Sequence, residues 1–281
     1  MRVGFVTCVQ LGLSCMEAIY DAGGRLEFAG TLLDTQAVAK SGRVYLDEFC
    51  GKHRIPLTKF RNVNDAAAVA AIRDVGLDWL FIVGWSQIAH GQVLETPKLG
   101  VLGMHPTLLP VGRGRAAIPW AILLGLPVTG VTLFKLDGGV DTGPVAAQEV
   151  LAVGHRETAT SLYRRVNEAH RTLILKFWSQ IESGTLQFTP QDESRVTVWE
   201  GRTPDQGQLD LGMRAEDAER LIRAVTRPYP GAFIDLDGRR LRVWAAEPAN
   251  AAQAESDGGL VLNFADGALR VTDLEWVSQG G

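Results

Sequence analysis

The sequence predicts an α/β chain with a mostly parallel sheet and a second, smaller β-rich domain, and three observations predict it. Short apolar runs alternate with helix-patterned stretches through the first two-thirds of the chain. A long amphipathic stretch, Thr158 to Ser183, closes that region. Beyond Gln187 the period changes, and short alternating runs separated by Asp-Gly turns take over. The expected division is residues 1–190 for the first domain, 191–207 for a linker and 208–281 for the small β-rich domain.

Arg2 to Cys8 is a continuous apolar run, as a strand covered on both faces requires. Gly12 opens a helical stretch, Leu13 to Ala22, which Gly23-Gly24 stops. Leu26 to Leu33 is the second strand, so a right-handed parallel crossover is expected. The turn at Gly12 has no GxGxxG or P-loop spacing, which argues against a dinucleotide site. Asp34 to Arg43 reads as a loop, Val44 to His53 as a short helix and Ile55 to Phe60 as an extended segment. Asn64 is placed to cap a helix over Asp65 to Asp74. Trp79 to Val83 is the next buried strand, and Gly84-Trp85-Ser86-Gln87-Ile88 leaves its carboxyl end.

Val101 to His105 follows, then a Pro/Gly/Arg turn segment, a helix over Ala116 to Leu124 and a strand over Val128 to Leu136. A glycine-rich loop, Asp137 to Gly143, leads into a strand over Pro144 to Val150. In the long helix Leu162, Val166, Ala169, Leu173, Phe177 and Ile181 recur every three or four residues, and Gly184 ends it. Thr197 to Asp205 is a connector, and Ala215 to Val225 a helix. Strands follow at Phe233 to Leu236, Leu241 to Ala245, Gly259 to Phe264 and Ala268 to Val277. Asp237-Gly238 and Asp266-Gly267 are the hairpin turns, and Ala249 to Asp257 is an exposed loop.

The 281 residues are 46% hydrophobic and 21% charged, enough for a sizeable core. The net charge is -4 with no basic block, which disfavours a nucleic-acid partner. No apolar run approaches a membrane span, and the N-terminal run is too short for a signal peptide, so cytoplasmic residence is the expectation. Cys8, Cys15 and Cys50 have neither CxxC nor zinc-site spacing and read as buried reduced thiols. No metal site is expected.

The chemistry concentrates between Leu99 and Gly143. His105 leaves a strand end and Asp141 sits on the loop after the next strand; in open α/β sheets ligands and reacting groups collect at such ends. A carboxylate can orient an imidazole, favour its charged form and accept a proton. The alternatives are a structural imidazole and an aspartate that caps its own loop. No GxSxG elbow or HExxH motif competes. Arg113 and Arg115 form either a solvated basic loop or a clamp for a carboxylate or phosphate of the substrate. Trp85 is either core or ligand contact, and His170 on the long helix reads as structural.

His105-Pro106-Thr107-Leu108-Leu109-Pro110, then Arg113-Gly114, Thr129-Gly130-Val131-Thr132-Leu133 and Leu136-Asp137-Gly138-Gly139-Val140-Asp141-Thr142-Gly143, resembles the signature of the folate-dependent formyltransferases. That family includes methionyl-tRNA, glycinamide ribonucleotide and amino-sugar formyltransferases. The resemblance implies a Rossmann-like catalytic domain, an OB-like C-terminal domain and 10-formyltetrahydrofolate as co-substrate. It assigns His105 and Asp141 to catalysis. Cofactor contacts fall to Trp85, Ser86, Gln87 and Ile88, and to Leu136, Asp137, Gly138, Gly139 and Val140. Thr107, Arg113 and Arg115 fall to the substrate.

Gly103 departs from the pattern, because the family carries an asparagine there whose amide helps hold the formyl oxygen. Losing one such donor typically costs about 10²–10³ in rate. Three readings follow: replacement of the donor by Ser86, Gln87, Thr107 or water; a slow enzyme with a tightly positioned acceptor; or a changed task. Glycine also leaves open space beside the histidine in this reading. The Arg223 to Phe233 segment is similar to the start of the C-terminal domain in tRNA and aminoarabinose formyltransferases, and the Trp199 to Asp205 connector to the sugar enzymes. With the acidic balance, this favours a small-molecule amine as acceptor, either an amino-sugar nucleotide or an amine of siderophore or antibiotic synthesis, over methionyl-tRNA. The alternative is an altered relative that binds a folate or nucleotide, hydrolyses the formyl group or uses another one-carbon donor. A homodimer is compatible with the sequence.

Overall fold

Val3–Val6 (β1), Phe28–Leu32 (β2), Leu57–Phe60 (β3), Trp79–Val83 (β4) and Gly100–His105 (β5) pair in parallel, as the apolar runs imply. In this computed structural model, which describes residues 1–36, 42–236, 238–249 and 259–277, β1, β2, β4 and β5 are buried along their whole length. Strands covered on both faces need that uninterrupted apolar character. Arg113–Gly114 (β6) is a two-residue strand outside this sheet, whereas Val128–Lys135 (β7) and Val145–Ala152 (β8) extend it to the order β3-β2-β1-β4-β5-β7-β8. β7 runs antiparallel to β5, with His105 opposite Thr132 and Leu102 opposite Lys135. Val198–Trp199 (β9) pairs in parallel with β6.

The helices are Gln10–Asp21 (α1), Asp47–His53 (α2), Ala66–Val75 (α3), Gly91–Glu95 (α4), Ala117–Leu123 (α5), Ala159–Ser183 (α6) and Ala215–Val225 (α7). Three details differ from the sequence reading. Gly12 lies inside α1 rather than opening it. Asn64 does not cap α3; its side chain donates to the Ile88 carbonyl at 2.8 Å and accepts from the His90 amide at 2.8 Å, because these nearby backbone groups have no ladder partner. Along α6 the buried side is Leu162, Val166, Ala169, Leu173, Ile174, Trp178 and Ile181, with Trp178 in place of Phe177. Each four-residue step advances about 40° round a helix, so a long apolar stripe drifts from the line read off the sequence.

His170, also on α6, is buried and its Nδ1 donates to the Val166 carbonyl at 2.8 Å. Burial lowers its pKa to about 4, so it sits in the core as a neutral ring. Cys8, Cys15 and Cys50 are all buried. No described helix is long and apolar enough to cross a membrane.

Ala232–Leu236 (β10), Arg239–Ala249 (β11), Val261–Phe264 (β12) and Gly267–Val277 (β13) form an antiparallel sheet in the order β10-β11-β13-β12. Ala218, Leu221, Ile222, Ala224 and Val225 give α7 its buried side. β11 and β13 are longer than the sequence reading, and a register shift between Val243 and Ala246 marks a β-bulge. Phe264 pairs with Gly267, so the second hairpin turn is Ala265-Asp266 and not Asp266-Gly267. The Asp266 carboxylate accepts the Ala215 amide at 2.8 Å, satisfying a backbone donor at the start of α7. Asp237 of the other turn and residues 250–257 of the expected loop lie outside the described residues.

The chain divides into two compact units. One comprises Met1–Gly114, Thr129–Leu151 and Arg165–Trp199; the other comprises Arg115–Val128, Ala152–Arg164 and Glu200–Gly281.

Candidate active site

His105 ends β5 on the same face as Gly103, since strand side chains alternate. The imidazole is buried, with its Nε2 2.8 Å from the Gly112 carbonyl and its Nδ1 3.5 Å from Asp141 Oδ2. A carbonyl only accepts, so Nε2 carries a proton. A neutral ring would then turn a bare Nδ1 toward a carboxylate, whereas an imidazolium donates on both sides. Asp141 Oδ2 also accepts the Gly114 amide at 2.9 Å. Gly114 has φ +112, and a Cβ there would lie 2.2 Å from the Trp199 carbonyl oxygen, so this close approach of two backbones excludes a side chain.

The sequence placed Asp141 at a strand tip beside the histidine, and the chain direction corrects this. Because β7 is antiparallel to β5, its end lies beside the beginning of β5, where the Leu136 amide donates to the Val101 carbonyl at 2.8 Å. His105 stands at the other end of β5, about 13 Å away at ordinary strand rise. The loop after β7 therefore turns back along the sheet to deliver Asp141. Asp137 Oδ1 stiffens that loop by accepting the Gly139 amide at 3.0 Å and the Thr142 hydroxyl at 2.5 Å. Asp141 itself has φ 54, an uncommon conformation for a residue with a side chain.

The space expected beside Gly103 is filled. A Cβ on Gly103 would meet Leu136 Cδ2 at 2.5 Å and Phe134 Cε1 at 3.2 Å. Leu136 packs against the buried cluster that includes Ile82 and Val101. An apolar side chain from the returning loop thus occupies the position to which the resemblance assigns an amide.

Neither sequence alternative describes Arg113. It is buried, its Nε and Nη2 donate to Gln191 Oε1 at 3.1 and 2.9 Å, and its Nη1 and Nη2 donate to the Glu193 carboxylate at 3.1 and 2.6 Å. A substrate clamp would need an open edge on this guanidinium, and its own chain already fills the fork. Arg115 is exposed and belongs to the second compact unit. Thr107 is buried, and its hydroxyl has no hydrogen-bond partner. Its carbonyl accepts the Thr132 hydroxyl at 2.7 Å, and Gln148 Nε2 donates to both Thr132 Oγ1 and the Leu109 carbonyl. These bonds hold the turn that follows His105.

In the segment after β4, Trp85 packs edge-on against Phe60, with ring centroids 5.7 Å apart, and its Nε1 is buried without a partner. Gln87 spends its amide on backbone: Oε1 accepts from Val63 at 2.9 Å and Nε2 donates to Arg61 at 2.8 Å. Ile88 and Val140 are 44% and 46% exposed, and Gly138 and Gly139 are exposed. Sequence reasoning missed Gln191, Glu193 and Thr197, whose only signal is long-range: Arg113 and Gln191 are 78 residues apart.

Residues 36–177 match the family model for formyl transferase, and residues 202–276 match the model for the formyl transferase C-terminal domain. The chain belongs to the formyl transferase family. A methionyl-tRNA formyltransferase of Agathobacter rectalis is 30% identical over 249 residues, covering 88% of this chain and 80% of the relative. That of Lachnospira eligens is 29% identical over 252 residues, covering 89% and 80%. Among solved structures, HypX from Aquifex aeolicus in complex with tetrahydrofolic acid superposes with TM-score 0.69 at 19% identity, over 98% of this chain and 44% of that one. The Helicobacter canadensis N-formyltransferase, with folinic acid and dTDP-3-aminofucose, superposes with TM-score 0.68 at 14% identity, over 98% and 100%. These likenesses show that the catalytic and C-terminal folds are shared, and the family makes this chain a formyltransferase.

Proposed function

We propose that this formyltransferase moves the formyl group of 10-formyltetrahydrofolate to the amine of a small molecule, with His105 and Asp141 as the catalytic pair. The observation that carries the reading is the contact itself: an imidazole and a carboxylate 3.5 Å apart, each tied to a backbone group of the loop 112–114. The residues available to the folate fit a flat heterocycle. Ile88 and Val140 offer exposed apolar surface, and the buried Trp85 Nε1 lacks an acceptor. The bound folate supplies the formyl carbon and the departing nitrogen.

The chain's own groups supply charge and proton traffic. His105 Nδ1, whose 3.5 Å contact with Asp141 is the longer of the ring's two, is the nitrogen left to meet the oxygen on which negative charge grows. Asp141 orients the imidazole and takes the proton of the attacking amine, directly or through water, and that proton passes on to the departing folate nitrogen as its bond to the formyl carbon breaks. Gly103 supplies no side-chain donor. Among the side chains weighed as replacements, Gln87 is committed to the 61–63 backbone, while the Thr107 hydroxyl stands unpartnered two residues beyond His105. Thr107 and Ser86 are the side chains left as replacement donors in this reading.

Charge pairing supports a small acceptor. On the C-terminal sheet and its approach, Arg227 pairs with Asp273, Arg240 with Asp235, Arg242 with Glu275 and Arg270 with Glu247. Paired guanidiniums leave little net positive field for a polyanion. Structural relatives include an enzyme solved with an amino-sugar nucleotide. The competing acceptor, methionyl-tRNA, is favoured by the names of the curated relatives. Purified protein is assayed with 10-formyltetrahydrofolate against a panel of amino-sugar nucleotides and other small amines, with methionyl-tRNA in parallel. N-formylated small product is expected. Product from methionyl-tRNA alone overturns the acceptor, and formate released at the same rate without any amine overturns transfer.

A further inference from the structure

We propose that Gln191, at the start of the segment expected to be a mere linker, is a positioning residue that sets the distance between Asp141 and His105. The inference rests on the reading of those two residues as the catalytic pair. The two protons of the Gln191 carboxamide are divided between the Asp141 carbonyl, at 2.8 Å, and the Gly143 carbonyl, at 2.7 Å. They grip both sides of the bend in which Asp141 adopts φ 54. A left-handed conformation costs a side-chain-bearing residue free energy and persists only where surrounding bonds over-determine it. Gln191 makes the bonds that do so here.

The carboxamide cannot turn over. Its oxygen accepts two bonds from Arg113, through Nε and Nη2, so the nitrogen must face the loop. Glu193 closes the other side of the same guanidinium. The next residues belong to the same brace: Thr197 Oγ1 accepts the Gly112 amide at 2.8 Å, and the Thr197 carbonyl accepts the Arg113 amide at 3.0 Å. Gly112 in turn accepts from His105, and Gly114 donates to Asp141. Residues 191–197 thus hold the histidine's support and the aspartate's loop in one closed circuit of hydrogen bonds. Without Gln191, the Asp141 loop loses two donors while His105 keeps its own bond to Gly112. The separation of the pair is what changes.

Crystal structures of the full chain and its variants read the distance directly. Gln191→Glu keeps the size and the acceptor for Arg113 but has no donor for the loop; Gln191→Leu removes both. With melting curves close to wild type, both variants are expected to lengthen the 3.5 Å separation of His105 Nδ1 and Asp141 Oδ2 beyond contact while the Nε2 bond to the Gly112 carbonyl stays in place. The wild-type separation in either variant overturns the positioning role and leaves the pair intact. A wild-type crystal structure with the two side chains out of contact sinks the pair and the proposal together. Wild-type protein alone gives a second measurement: the Gln191 carboxamide protons are expected to exchange with solvent at least ten-fold slower than those of exposed glutamines. Exchange at the exposed rate overturns the proposal even where a variant does not fold.

Discussion

Asp141 carries two separate burdens, a backbone bent to φ 54 and a carboxylate shared between an imidazole and the Gly114 amide. Asp141→Asn keeps the shape and the amide's acceptor while removing the charge. It is expected to lower kcat for formyl transfer by about 10²–10⁴, the usual contribution of a proton-transfer group, with an unchanged circular dichroism spectrum. Gly103 makes the opposite point: a missing side chain has been answered by packing. In Gly103→Asn the new Cβ meets Leu136 Cδ2 at 2.5 Å, so Leu136 must move. Urea unfolding is expected to show a loss of about 1–3 kcal/mol, the usual cost of overpacking. Combined with Leu136→Ala, the two changes are expected to be non-additive by at least about 0.5 kcal/mol, because the residues touch. Additive losses would show that Leu136 does not fill this space.

Among the elements, α6 shows how much a periodic pattern can reveal. Leu173 is fully buried and Leu175, two residues on, is 46% exposed. Leu173→Ala is expected to cost about 2–5 kcal/mol in denaturant unfolding, and Leu175→Ala less than about 0.5 kcal/mol. The strands β1, β2, β4 and β5 were equally readable, since burial on both faces writes itself as an unbroken apolar run. The short helix α4 was not, for a single turn of five residues carries no period to detect. The segment 191–197 was read as the start of a linker for a related reason. Its bonds run to the loop 110–114 and to the loop after β7, far away in sequence, and none is announced by its neighbours.

For the molecule as a whole, acid sensitivity has an identifiable origin. Burial lowers the pKa of His170 from 6.5 to about 4, so the unfolded chain binds a proton in this window that the folded chain refuses. Stability therefore rises with pH from about 4 to about 6.5 and is flat above it, with about 3 kcal/mol at stake for a shift of this size. Asp78 adds the same sign at lower pH: the Arg2 amide, then Lys98, holds its carboxyl below the ordinary range, and that stabilisation is lost on protonation. Melting temperatures taken between pH 4 and pH 7 are expected to fall on the acid side, with a shallower fall in His170→Gln. An equally steep fall in that variant would place the acid sensitivity elsewhere.

The sequence alone determined the kinds and order of most elements and the change from a mostly parallel sheet to hairpin-linked strands, and it singled out His105 and the glycine-rich loop that carries Asp141. These are local properties: an apolar period, a turn residue and a motif are each written within a few neighbouring residues. Tertiary structure alone decided that β7 reverses direction, that its loop folds back along β5, that Leu136 fills the place beside Gly103, and that Arg113 is spent on Gln191 and Glu193. Each of those outcomes depends on which backbone donors and acceptors remain unpaired once distant segments meet, and no stretch of chain carries that information before it folds.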